Sequence, residues 1–420
     1  MTVVDPLNDC YRATGGRMPV AEAVALLRER IRPVTEAEAV PLADADGRIL
    51  ARPVIAHRTV PPFDNSAVDG YAYAHAAAAA AAGRLRLAPG RTAAGHPFDG
   101  VVGDGEALRA LTGARMPAGT DTVAMQEDVR LDGGWVEVPV KLKPGANRRR
   151  AGEDVTDGAA ILPAGIRLRP QDLAAAASVG NGSLSVRTPL RVALFSIGDE
   201  LREPGAQAAA GQIYDSNRPM LSALLRRAGF AVTDLGILPD DAAVVRRALA
   251  REAEGHHALV TSAGASIGDE DHTVAAVRAL GTLHAWQIAI KPGRPIALGQ
   301  IGDCTFVGLP GNPVAVLVCF ARIVRPMLLR LAGLDWQDPQ AFPVPADFAI
   351  DKKPGRREYW RARLARDDQG GLTVQKFPRD GSGLISSLTW ADGLIEVGED
   401  TTRIDRGQPV DFLPFAELGV

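Results

Sequence analysis

The spacing of hydrophobic positions changes along the chain, and the changes divide it. Near the N-terminus Val20, Val24, Leu27 and Ile31 recur every three to four residues, which predicts an amphipathic helix from Pro19 to Val34. From Ile55 to about Arg150 the apolar runs become short and are broken by Gly and Pro. Asp121-Thr122-Val123-Ala124-Met125 and Trp135-Val136-Glu137-Val138 are examples, and they predict a small β domain. The alanine run from Ala76 to Ala82 reads as an exposed helical turn without chemistry.

From about Arg191 to Leu331 strand-like and helical patterns alternate. The runs Val192 to Phe195, Val232 to Leu235 and Ala258 to Thr261 are interleaved with helices expected after Asn217, Asp241 and Asp271. This order predicts a mostly parallel sheet with helices on both faces, whose ligands bind beyond the carboxyl ends of the strands. From Asp335 strands return, including Tyr359 to Leu364 and Leu372 to Val374, so a second small β domain is expected. The fold class is multidomain α/β plus β, without internal repeats.

A chain of 420 residues exceeds one ordinary core, which fits two to four domains. Hydrophobic residues at 46% and charged residues at 23% indicate a globular protein, and 5% aromatics make the core aliphatic. A formal charge of −3 gives no general attraction to nucleic acid or anionic membrane, so neither is an expected partner and any anion site must be local. Cys10, Cys304 and Cys319 are scattered and form no C-x-x-C pair, which argues against a disulfide framework or a thiolate zinc site. The first residues lack a signal-peptide pattern and no apolar run reaches membrane-spanning length, so the cytoplasm is the expected compartment.

Four loops after apolar runs carry residues suited to phosphate or metal. Ser196-Ile197-Gly198-Asp199-Glu200-Leu201 sets two carboxylates beside a glycine turn, and also reads as an acidic solvated turn. Thr261 to Asp271 supplies small residues and hydroxyls, Ser262, Gly264 and Ser266 among them, and then three acids before a helix. Amides of such a loop can cradle an oxyanion while carboxylates hold Mg²⁺. Ile290-Lys291-Pro292-Gly293-Arg294-Pro295 places two cations on one turn, a fit for a tetrahedral oxyanion or simply two solvated charges. Gly308-Leu309-Pro310-Gly311-Asn312-Pro313 builds a helix N-terminus, attractive to anions or merely capped. Earlier in the chain, Pro61 to Tyr71 reads as a polar loop offered to a ligand or partner, and Arg148 to Asp154 as a charge run of the kind usually found on a solvated face.

With PPFDNSAVDGYA, RRRAGED, GDEL, GQIYDSNR, the Asp240-Asp241 pair, SAGAS through DEDHT, IKPGRP and LPGNP in that order, the chain resembles the molybdopterin molybdenumtransferase family almost end to end. The resemblance implies an elongated four-domain protomer: 1–56 completed by 151–189, a β domain at 57–150, a molybdopterin-binding α/β domain at 190–332 and a C-terminal β-barrel-like domain at 333–420. It implies a homodimer whose cleft sets the α/β domain of one chain against the PPFDNSAVDG loop of the other. The implied reaction inserts molybdenum from molybdate into adenylylated molybdopterin with Mg²⁺ present and releases AMP, the adenylate coming from an upstream molybdopterin adenylyltransferase. Asp69, Asp154, Glu200 and Asp271 match the family's catalytic acids, and Asp240, Asp241 and Asp271 its metal positions. Ser262, Gly264, Ser266, Lys291, Arg294, Pro310, Pro313, Arg356 and Ser386 match substrate contacts. The chain departs from the common pattern at Val68, Ala263, Gln287, Arg294 and Ala315. The related adenylyltransferase, a rival reading, needs no flanking β domains, and the second rival, a receptor-binding scaffold, finds no basic, disordered or linker-like addition in this sequence to support it.

Overall fold

The computed structural model describes residues 17–263, 272–293 and 295–420. Cys10, Gly264, Ser266, Asp271 and Arg294 lie outside the described residues.

A six-stranded sheet runs in the order Ala231–Leu238, Arg191–Ile197, Ala258–Ser262, Cys304–Leu309, Ile296–Ile301, Thr282–Trp286. The first four strands are parallel, and the last two extend the sheet antiparallel. Side chains alternate between faces along a strand, and here both faces are covered. Val192 and Leu194 join one core with Val260, Val307 and the helix Pro313–Cys319. Ala193, Phe195 and Ile197 join another with Leu259, Phe306 and Val245. Two-sided burial explains why these strands read as continuous apolar runs. The helices Asn217–Arg227, Ala242–Gly255 and His272–Leu280 stand where the pattern placed them. The antiparallel hairpin Ile296–Ile301/Cys304–Leu309 is an addition to the expected parallel order.

The N-terminal helix is shorter than its pattern, Val20–Arg30, and buries Val20, Ala23 and Leu27, with Ile31 just past its end, in the α/β core. Val24 is only partly buried, because the apolar stripe is offset by one position. Nearby, Ala37–Pro41 pairs with Ser183–Arg187 and Val54–Ile55 with Ala160–Leu162, so segments far apart in sequence share one small core. A second six-stranded sheet, containing Gly70–Tyr73, Arg84–Thr92 and Thr122–Met125, occupies the stretch between them. The alanine run forms a helix over His75–Ala80, with Ala78 buried.

A third six-stranded sheet closes the chain in the order Ile290–Lys291, Arg357–Arg366, Gly393–Val397, Pro409–Pro414, Phe342–Pro345, with Leu372–Lys376 on the far half of Arg357–Arg366. Its first strand comes from the α/β region. Ile290 pairs with Arg357 and Lys291 with Glu358 in parallel register, so the IKPGRP turn is stitched to the C-terminal sheet.

Candidate active-site cleft

This stitching creates a cleft of about 490 Å³. One wall is Ile290 to Gly293 with Pro310, Asn312 and Ala315, and the other is Arg356, Tyr359 to Arg361 and Asp380 to Ser382. A smaller compartment of about 190 Å³ adjoins it, sharing Lys291, Arg356, Trp360 and Asp380 and adding Lys352, Lys353 and Lys376. Cations outnumber acids in both, as a site for oxyanions requires.

The cations differ in how far they are committed. Lys291 Nζ lies 3.0 Å from Glu358 Oε2, which also accepts from Trp360 Nε1 at 2.9 Å. Lys352 is buried and donates to the carbonyls of Lys353, Glu399 and Thr401 at 3.3–3.4 Å; desolvation pulls its ammonium below the usual lysine range. Lys376 binds Asp380 at 2.8 Å and holds that carboxyl below the usual carboxylate range. Arg356, half-buried, has no ion pair or hydrogen bond among the described residues, so its charge is available to a ligand.

The loop at 379–382 was not anticipated from sequence. Arg361, buried on its strand, donates from Nε to Ser387 Oγ at 3.0 Å and from Nη2 to the carbonyls of Arg379 and Gly381 at 3.2 Å. Ser386 is exposed at the start of the short helix Ser386–Trp390 and does not line the cleft; its neighbour Ser387 makes the inward contact. The signal available in the sequence was Arg361 itself, a charge at an inward strand position between Trp360 and Ala362.

Pro313 opens the helix Pro313–Cys319, and the adjacent Val314 N donates to Ser382 O at 3.0 Å. One amide of this helix start is therefore spent on the C-terminal domain. Gly293 has φ +127°, and a Cβ there would collide with Cys319 Sγ, so the turn closes only without a side chain. Cys319 is fully buried and its thiol is pushed up to about 12; Cys304 is buried likewise, and neither forms a disulfide.

At the neighbouring strand ends, Ser262 is buried beside Ser196 in parallel register. Gly198, at φ +147°, leaves the space into which the Glu200 carboxylate folds. The arm carrying Glu200 is tied down by Arg218, whose guanidinium binds Asp215 at 3.1 Å, Asp234 at 2.6 Å, and Glu203. Asn217 Nδ2 donates to Gly311 O at 2.7 Å, so GQIYDSNR anchors the LPGNP turn. Asp240 is exposed. Asp241 Oδ1 accepts the amides of Ala243 and Val244 and caps the helix Ala242–Gly255, a structural duty for a residue matched to metal binding.

The two earlier motifs form one ribbon. Asn65–Ser66 pairs antiparallel with Arg148–Arg149, Asp64 accepts from Ala151 N at 2.9 Å, and Asp154 N donates to Val60 O at 3.2 Å. Asp69 Oδ1 accepts both the hydroxyl and the amide of Thr112, at 2.6 and 2.8 Å, which holds its carboxyl below the usual range. No residue of this ribbon lines the cleft of its own chain.

Three family profiles match in succession: the MoeA N-terminal region (domain I and II) over residues 18–180, a probable molybdopterin binding domain over 193–330, and the MoeA C-terminal region (domain IV) over 343–415. With the fold and the basic cleft, they define a transferase of molybdenum cofactor biosynthesis. The chain is 36% identical over 399 residues to the molybdopterin molybdenumtransferase of Haemophilus influenzae, covering 94% of this chain and 98% of that one. It is 34% identical over 415 residues to molybdopterin molybdenumtransferase 2 of Mycobacterium tuberculosis, covering 91% and 95%. The molybdopterin biosynthesis moeA protein of Pyrococcus horikoshii superposes with a TM-score of 0.82 at 28% identity, over 95% of this chain and all of that one. The chain belongs to the molybdopterin molybdenumtransferase family and is an enzyme.

Proposed function

We propose that this enzyme inserts molybdenum from molybdate into adenylylated molybdopterin with Mg²⁺ present and releases AMP. The observation that carries the reading is the cleft itself, where Lys291 and Arg356 face one cavity between the α/β and C-terminal β domains. A tetrahedral dianion and a phosphorylated pterin both need fixed cations and N–H donors. Arg356 supplies an uncommitted planar fork, Lys291 a point charge, Pro310 and Gly293 shape the wall beside them, and Pro313, outside the lining, starts the helix that carries Ala315. Arg294, Gly264, Ser266 and Asp271 complete this assignment from the resemblance.

Among the described residues, no group of three carboxylate, imidazole or thiol side chains is placed to hold a metal ion. Mg²⁺ at phosphate sites keeps several waters and uses one or two carboxylates with substrate oxygens. Asp240 and Glu200, both exposed and following the paired strand ends Leu238 and Ile197, fit that partial role. Mg²⁺ held there would neutralise phosphate charge. The cleft is completed, in this proposal, by Asp69 and Asp154 on the ribbon of a second protomer, since the ribbon is absent from the lining of its own.

The test is consumption of the pterin adenylate by purified protein. AMP should appear only when molybdate and Mg²⁺ are both supplied; release without molybdate would sink the proposal.

A further inference from the structure

A second cavity, of about 100 Å³, lies between the helix Arg325–Leu331, the turn after it and the C-terminal helix Phe415–Leu418. It shares no lining residue with the cleft. Two guanidiniums face it. Arg322 is matched on its inner side, with Nε donating to Tyr359 Oη at 3.2 Å and Nη2 3.4 Å from Glu396. Arg325 has no ion pair and no hydrogen bond among the described residues, and its buried Nε is without a partner. It packs so closely on Gly419 that a Cβ there would collide with the guanidinium.

The carboxylates at the rim compensate it only in part. Asp335 binds Arg330 at 2.8 Å, Asp338 binds Arg28, and Glu417 Oε2 accepts from Gln340 N at 3.3 Å. Behind the cavity Arg167 adds a second positive charge, its own donors going to the carbonyls of Gly47 and Ala228 at 2.8 Å. Burial first, and then Arg167, push the Arg325 guanidinium below its usual range, with Glu417 opposing them. Arg325 is half-buried, and a guanidinium whose Nε is shielded from water without an acceptor is unfavourable.

We propose that this cavity binds a small tetrahedral oxyanion of the phosphate, sulfate or molybdate type on the fork of Arg325, with the Arg322 charge beside it. The N–H groups of a guanidinium match the oxygens of such an ion. A cavity of about 100 Å³ is large enough to admit one such ion.

The test is thermal unfolding of the full chain in chloride buffer, titrated with inorganic phosphate, for wild type, Arg325→Gln and the cleft variant Arg356→Gln. Because the cleft also offers cations to an oxyanion, the deciding comparison is made in Arg356→Gln, which should show a saturable rise in Tm with apparent affinity at least tenfold weaker once Arg325→Gln is added. Without phosphate, Arg325→Gln should unfold no earlier than wild type, because the unpaired charge is gone, and its turnover should be unchanged. Sulfate and molybdate titrations distinguish the source of the ion. A response that persists undiminished in the Arg356→Gln/Arg325→Gln double variant, or is absent from Arg356→Gln with all three anions, overturns the proposal. If Arg325→Gln does not fold, equilibrium dialysis of labelled phosphate against Arg356→Gln and Arg356→Gln/Arg325→Lys decides, the second having to bind more weakly than the first.

Discussion

Lys291 and Glu358 are paired twice, by backbone register within the C-terminal sheet and by an ion pair of 3.0 Å between their side chains. The cleft's lysine is thus partly neutralised by a carboxylate 4% exposed. Glu358→Gln keeps an acceptor for Trp360 and removes the charge. It should lower the molybdate concentration for half-maximal insertion by about three- to tenfold, each tenfold being about 1.4 kcal/mol. Lys291→Met should raise that concentration and, by leaving Glu358 buried without its partner, cost about 1–3 kcal/mol of stability by denaturant unfolding. Equal molybdate dependence in wild type and Glu358→Gln would show that Lys291 does not contact the oxyanion.

Gly293→Ala meets two obstacles, the positive φ and the Cys319 sulfur. Backbone strain and overpacking cost about 1–3 kcal/mol each, so a loss of roughly 2–6 kcal/mol is expected. Adding Cys319→Ala should recover the steric share and leave the strain, a partial rescue visible in urea midpoints. Full rescue would mean the φ imposes no penalty.

Asp69 gives a pH prediction. Its folded pKa is depressed, chiefly by the Thr112 hydroxyl and amide, so its stabilisation is present above the ordinary value of 3.8 and is lost as pH falls through the depressed one. Asp69→Asn retains an acceptor for Thr112 without titrating. Its Tm should therefore fall less steeply than that of wild type on acidification below about pH 4. Parallel curves would contradict the linkage.

If the ribbon serves a neighbouring protomer, then Asp69→Asn and Glu200→Gln chains, each inactive, should recover activity as mixed dimers, about a quarter of wild type for one restored cleft in half of the molecules. Verified subunit exchange without recovery would place both residues in one chain's site.

Fold class was legible because the α/β strands are buried on both faces, which leaves unbroken apolar runs such as Val192 to Phe195. The Ile290–Lys291 strand was not legible, since two residues carry no periodicity and their partner lies 67 positions away. The motif residues Lys291, Pro310 and Arg356 do converge on one cleft. Arg361 and Ser382 escaped notice because they act through backbone carbonyls, which no side-chain pattern records. Asp241 shows the converse: an acid before a helix reads equally as ligand or cap, and here its observed bonds are those of a cap.

The C-terminal sheet accepts its edge strand from the α/β domain, which makes the peptide link between the two dispensable for their association. Cleaving the chain between Leu331 and Phe342 should yield two fragments that co-purify, because the Ile290–Lys291 pairing and the Val314–Ser382 hydrogen bond both span the cut.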